Sequence, residues 1–169
     1  MLEQTANVIN SINRVLGKAV SYATFAMAII MFAIVVLRYG FNLGWIAMQE
    51  SVMYLHAAVF LLGSAFTFQH NGHVRVDIFY RHFSKKQQAR VNLFGSLVFM
   101  LPVSVYIGII CYQYVLTSWQ LLEGSREPGG LPFVYVLKSF LLIFAISMAL
   151  QALADIATQA LTLMKREPK

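Results

Sequence analysis

Long apolar runs alternate with short polar stretches along this chain, and the lengths of the runs are those of membrane-crossing helices. Residues Ala19 to Leu37 carry no charge and are bracketed by Lys18 and Arg38. At 1.5 Å per residue that run rises about 28 Å, close to the roughly 30 Å of a bilayer's hydrocarbon core. Three further helices are expected over about 45–68, 91–119 and 131–155. Trp45 marks an interface before the second, and Pro102 is expected to bend the third because proline removes a backbone donor and clashes with the preceding turn. Before the first run, Val8, Ile9, Ile12, Val15 and Leu16 recur at helical spacing among Asn10, Asn13 and Arg14. That segment reads either as an amphipathic helix on the membrane surface or as an extension of the first spanning helix. The pattern predicts an all-α integral membrane protein, one membrane domain over 1–169 with four transmembrane helices. The first run is too long for a signal peptide's apolar core and no Ala-x-Ala site follows it, so a retained helix is expected.

Composition agrees with this reading. The chain is 59% hydrophobic and 12% charged, whereas a soluble domain is about half apolar and a quarter charged. So few charges do not cover a water-facing surface. Lys and Arg are uneven: Arg14 and Lys18 precede the first helix, five lie between 69 and 90, and three end the chain, while the two other connections hold Arg38 and Arg126. The positive-inside bias puts both termini and the 69–90 connection in the cytoplasm of a multi-pass inner-membrane protein. The basic residues are not interleaved with aromatics, which argues against nucleic acid as a partner; Arg81, Lys85, Lys86 and Arg90 are placed to meet phospholipid headgroups. The lone Cys111 excludes an internal disulfide.

Ionisable groups at membrane depth cost several kcal/mol unless paired, hydrated or snorkelled. Glu50 lies five residues after Trp45 and Lys138 seven after Leu131, so their depths nearly match at the outer side. They either pair, or meet polar groups of a partner subunit; the plainer reading has Lys138 snorkelling outward and Glu50 in the headgroups. His70, His73 and Asp77 at loop spacing, without a CxxC or HExxH, are weak evidence for a metal site, and none is assigned. His56 lies alone at membrane depth, where a haem between helices needs two histidines. No nucleophile elbow or triad is present, so no enzyme activity is expected. Arg75 and Asp77 follow a helix end, where they either latch the connection or are solvated.

Several stretches carry a resemblance: Gln49-Glu50 before the second helix, Phe60-Leu-Leu-Gly-Ser-Ala65, Gly72-His-Val-Arg-Val-Asp77, and Gly130-Leu-Pro132 opening the fourth helix. Together they resemble the small membrane subunit of tripartite ATP-independent periplasmic (TRAP) transporters, over nearly the whole chain. The resemblance implies a large elevator-type membrane subunit holding the substrate and sodium sites, a periplasmic substrate-binding protein, and sodium-coupled uptake of an organic anion, a carboxylate or sulfonate. It places no cofactor in this chain and implies partner-interface or structural roles for Glu50, His73, Arg75 and Asp77. Lys138 stands where many members have an apolar residue or proline. Two other readings are a proton-coupled four-helix exporter working as a homo-oligomer around Glu50, and a membrane anchor for a haem or quinone enzyme.

Overall fold

A computed structural model describes residues 2–74 and 76–164, without the side chains of residues 2, 3 and 5. Helix α1 spans Leu2–Gly40, α2 Ile46–Gln69, α3 Lys85–Gln120 and α4 Val134–Met164, and each contains a stretch long and apolar enough to cross a membrane. A single 3₁₀ turn, Tyr80–His82, interrupts the connection between α2 and α3. The start of α1, the end of α4 and that connection share one end of the bundle; the 41–45 and 121–133 connections share the other.

Helix α1 runs unbroken from residue 2, so the N-terminal segment extends the first spanning helix rather than forming a separate surface helix. Two of its polar residues, Asn10 and Asn13, face inward, while Asn7, Ser11, Arg14 and Lys18 are exposed. Asn13 is 3% exposed, while Val8, Ile12 and Val15 stand outside on the bundle's periphery. Asn13 Nδ2 donates to Gln151 Oε1 on α4 at 2.6 Å, and Gln151 Nε2 donates to Asn10 Oδ1 at 3.2 Å. Such amide pairs tie α1 to α4 where amides gain most from bonding one another.

Helix α4 is the centre of the bundle and touches each of the other three, whereas α3 packs principally on α4. The residues α4 buries are small or amidic: Ala145, Ser147, Gln151, Ala152 and Ala154. A Cβ on Gly108 of α3 would sit 3.6 Å from the Ala145 Cβ, so the Ser104–Gly108 pair and Ala145 are facing parts of one close contact. Small side chains let backbones approach, which is how helices associate where lipid competes for apolar contact.

Helix α3 starts at Lys85, some turns before the apolar run that predicts it. Ser84 caps it: its hydroxyl accepts from the Gln87 N–H at 3.3 Å, and the Gln87 side chain accepts from the Ser84 N–H at 2.8 Å. This reciprocal pair satisfies two free donors of the first turn. At Pro102 the helix widens into a π turn, Ser96–Met100, in which the Leu101 N–H reaches the Ser96 carbonyl. The wider turn is where the chain accommodates a residue that offers no donor.

Candidate functional site

The stretch after α2 is a helix stop with specific geometry. Asn71 has φ +53°, the Gly72 N–H donates to the Thr67 carbonyl at 2.8 Å and the Asn71 N–H to Phe68 at 3.0 Å. These are the two bonds of a Schellman cap, so Asn71-Gly72 turns the chain sharply out of α2. The His70 Nδ1 lies 2.9 Å from the Phe66 carbonyl oxygen and its ring packs on Phe66; His73 Nε2 lies 3.3 Å from the Ser64 carbonyl oxygen, its ring near Phe68. His70 thus closes the last turn of α2, and His73 folds the connection back along the helix. Among the described residues, no three of His, Cys, Asp and Glu gather in one place. Asp77 and Arg81 pair at 3.7 Å, but with 52% and 61% of their side chains exposed the pair contributes little. Arg75 lies outside the described residues. Lys85 and Arg90 are exposed on the first turns of α3, and Lys86 is half-buried there.

At the opposite end the two membrane charges find different partners from each other. Lys138 Nζ bonds Glu123 Oε2 at 2.5 Å and sits 3.9 Å from the centre of the Tyr114 ring. Glu50 instead accepts from the Ser125 hydroxyl and, at 2.6 Å, from the Leu131 N–H. Direct pairing of Glu50 with Lys138, one of the arrangements their matching depth allowed, is therefore corrected. The reason lies in how α3 ends. Leu122 takes φ +46°, the Leu122 N–H donates to Trp119 at 3.2 Å and the Glu123 N–H to Ser118 at 3.0 Å, a second Schellman cap without glycine. That cap turns Glu123 back over the helix, where the Ser118 hydroxyl donates to it at 2.6 Å and Lys138 reaches it from α4. Glu50, on the second turn of α2, then holds the far side of the same connection.

Glycine completes this latch. A Cβ on Gly130 would lie 2.8 Å from Glu50 Oε1 and closer still to the Ser125 hydroxyl. The Trp119 indole N–H also donates to Ser139 Oγ at 2.8 Å, tying the end of α3 to α4. Sequence reasoning found Glu50 and Lys138 but not Glu123 or Ser125, which sit among turn residues that read as a solvated loop.

Hydrogen bonds from Lys138 and then Ser118 hold the Glu123 carboxyl below its ordinary value of 4.5. A carboxyl lowered on folding binds fewer protons in the folded than in the unfolded state, so its contribution is complete above about pH 4.5 and is lost as pH falls through the lowered value. The expected result is a Tm gap between the parent and Glu123→Gln that is constant from neutral pH down to about 5 and closes in more acid solution. Thermal unfolding in detergent across that range measures it; a gap that widens on acidification would contradict the assignment.

The family model described as "Tripartite ATP-independent periplasmic transporters, DctQ component" matches residues 27–162, from within α1 to the end of α4. The chain belongs to the DctQ family. A putative TRAP transporter small permease protein of Haemophilus influenzae is 32% identical over 110 residues, 63% of this chain and 63% of that protein. No solved structure matches. As a DctQ component the chain is a multi-pass inner-membrane protein of a transport system, not an enzyme. Within a DctQ bundle of this kind, the Glu50 and Glu123 carboxylates bind loop and helix groups of their own chain. His56 is exposed, its ring 5.7 Å from that of Phe60 between centres, on the edge of a groove between α1 and α2.

Proposed function

We propose that this chain is the small, static scaffold subunit of a TRAP transporter, bound beside a large elevator-type subunit that holds the sodium and substrate sites. A periplasmic binding protein delivers the substrate, an organic anion of the carboxylate or sulfonate class, and inward sodium flow drives uptake. The observation that carries this reading is the family match across all four helices. The geometry supports it. The outer-end carboxylates are taken up in fixing the 121–133 connection, a rigid arrangement that suits a scaffold. Commitment of Glu50 to that connection also removes the carboxylate on which a homo-oligomeric exporter would depend. In this reading the termini and the 69–84 connection face the cytoplasm, and His73, Arg75 and Asp77 shape the surface that meets the large subunit there.

Reconstitution tests it. Uptake into proteoliposomes is expected to require this chain, the large subunit and the binding protein together, with a sodium gradient directed inward. Transport by this chain alone on a proton gradient would overturn the proposal. Assembly left unchanged by Arg75→Ala and Asp77→Ala would remove that connection from the interface.

A further inference from the structure

At the end that carries the termini, a cavity of about 880 Å³ lies between α2, the following connection, α3 and α4. It exists because α3 leans on α4 and leaves α2. Asp155 of α4 stands on its wall with a carboxylate that accepts from the Ser96 hydroxyl at 2.5 Å and from Gln159 Nε2 at 2.9 Å, both neutral donors. Among the described residues no lysine, arginine or histidine forms an ion pair with it. Gln69 Oε1, also on the wall, is buried and receives no hydrogen bond. Asn92 uses its carbonyl oxygen to accept from the Tyr80 hydroxyl at 3.0 Å, which leaves its NH₂ to donate. Phe68, Phe79 and Phe99 supply ring surface around these groups.

Each feature selects the same occupant. A carboxylate with neutral partners and a buried acceptor call for a cationic donor, and aromatic faces favour an ammonium. Asp155 lies twenty-one residues beyond Val134, about 32 Å along the axis, which is the level where hydrocarbon gives way to headgroups. The volume falls in the roughly 300–1,000 Å³ range of ligand pockets and exceeds what one inserted side chain fills. We propose that this cavity binds the headgroup of a membrane aminophospholipid, its primary ammonium at Asp155 and Gln69, its phosphate at the Asn92 amide and its chains lying outward along α3. Such a lipid fills the gap between α2 and α3 that the protein leaves unpacked. The inference concerns this chain's own bundle and stands apart from which anion the transporter carries.

The full chain is placed in nanodiscs of equimolar phosphatidylethanolamine and phosphatidylglycerol, bulk lipid is stripped with mild detergent, and retained lipids are counted by native mass spectrometry. The ratio of retained phosphatidylethanolamine to phosphatidylglycerol is expected to be about ten to one against one to one in the bulk, equivalent to roughly 1.4 kcal/mol. Asp155→Asn should return the retained ratio to that of the bulk. Gly95→Leu provides a second variant: Gly95 lines the cavity, a Cβ there meets no atom within 4 Å, and leucine favours the helix, so the fold is kept while the volume is filled. It should lower retention of phosphatidylethanolamine even where Asp155→Asn proves poorly folded. Equal retention of the two lipids by the parent, or undiminished enrichment in Gly95→Leu, overturns the proposal. So does an Asp155→Asn chain that keeps the lipid and instead loses the large subunit, since a basic side chain of that partner would then be the occupant.

Discussion

Glu50→Ala is expected to destabilise the bundle by about 3 kcal/mol and to free the 121–133 connection from α2. The carboxylate accepts from the Ser125 hydroxyl and from the Leu131 N–H at 2.6 Å. A hydrogen bond to a charged group contributes about 1.5–3 kcal/mol, and a part-buried backbone donor left without an acceptor adds a desolvation cost. Alanine removes both acceptors together. The Ser125 N–H still bonds the Leu131 carbonyl at 3.0 Å, so the connection keeps its own closure while losing its anchor. Hydrogen exchange makes the loss local and visible: the Leu131 amide, protected in the parent, should exchange much faster in Glu50→Ala. Glu50→Gln retains one carbonyl acceptor of nearly the same reach and should fall between the two. Unchanged protection at Leu131 in the alanine variant would show that Glu50 does not hold the connection.

This latch also shows what sequence reasoning reaches and where it stops. Helix identity was legible, since long uncharged runs in a chain of 12% charge have few other physical solutions. Glu50 and Lys138 were legible as charges in need of partners, because a bilayer makes solitary charge costly. Their partners were not. Lys138 pairs with Glu123 only because α3 ends in a Schellman cap with Leu122 at φ +46°, and a left-handed leucine has no sequence signal. The start of α3 was readable in principle: Ser84-Lys-Lys-Gln87 is the spacing of a capping box, masked by the charges that made 69–90 look like a loop. From the sequence Asn13 is one polar position among the helically spaced Val8, Ile9, Ile12, Val15 and Leu16, and Gln151 and Asp155 draw no role. Bundled at the membrane's edge, Asn13 and Gln151 bond each other across α1 and α4, and Asp155 faces a cavity.

The Asn10 and Asn13 bonds to α4 are made by a helix that also packs tightly on α2 at Gly17. A Cβ there would collide with Phe66, approaching its ring carbons and lying 2.6 Å from its Cβ. Turning the ring relieves the first overlap but not the second, because the Phe66 Cβ is fixed by the α2 backbone. Gly17→Ala is therefore expected to cost about 2–3 kcal/mol through overpacking, against the few tenths to 1 kcal/mol that alanine ordinarily gains over glycine in a helix. Gly63 on the facing helix is the control. A Cβ at that position meets Val20 Cγ1 at 3.8 Å, an ordinary contact, so Gly63→Ala should be neutral or stabilising. Asn13 sits one turn before Gly17, so separating the helices also strains the 2.6 Å bond to Gln151. The double variant Gly17→Ala with Phe66→Ala should recover part of the loss by restoring room, even though Phe66→Ala alone removes apolar contact. Thermal unfolding of the four proteins in detergent gives the coupling between the two positions. A Gly17→Ala chain as stable as Gly63→Ala would mean that α1 can move off α2 without cost, and the amide bonds to α4 would then have to hold the N-terminal segment on their own.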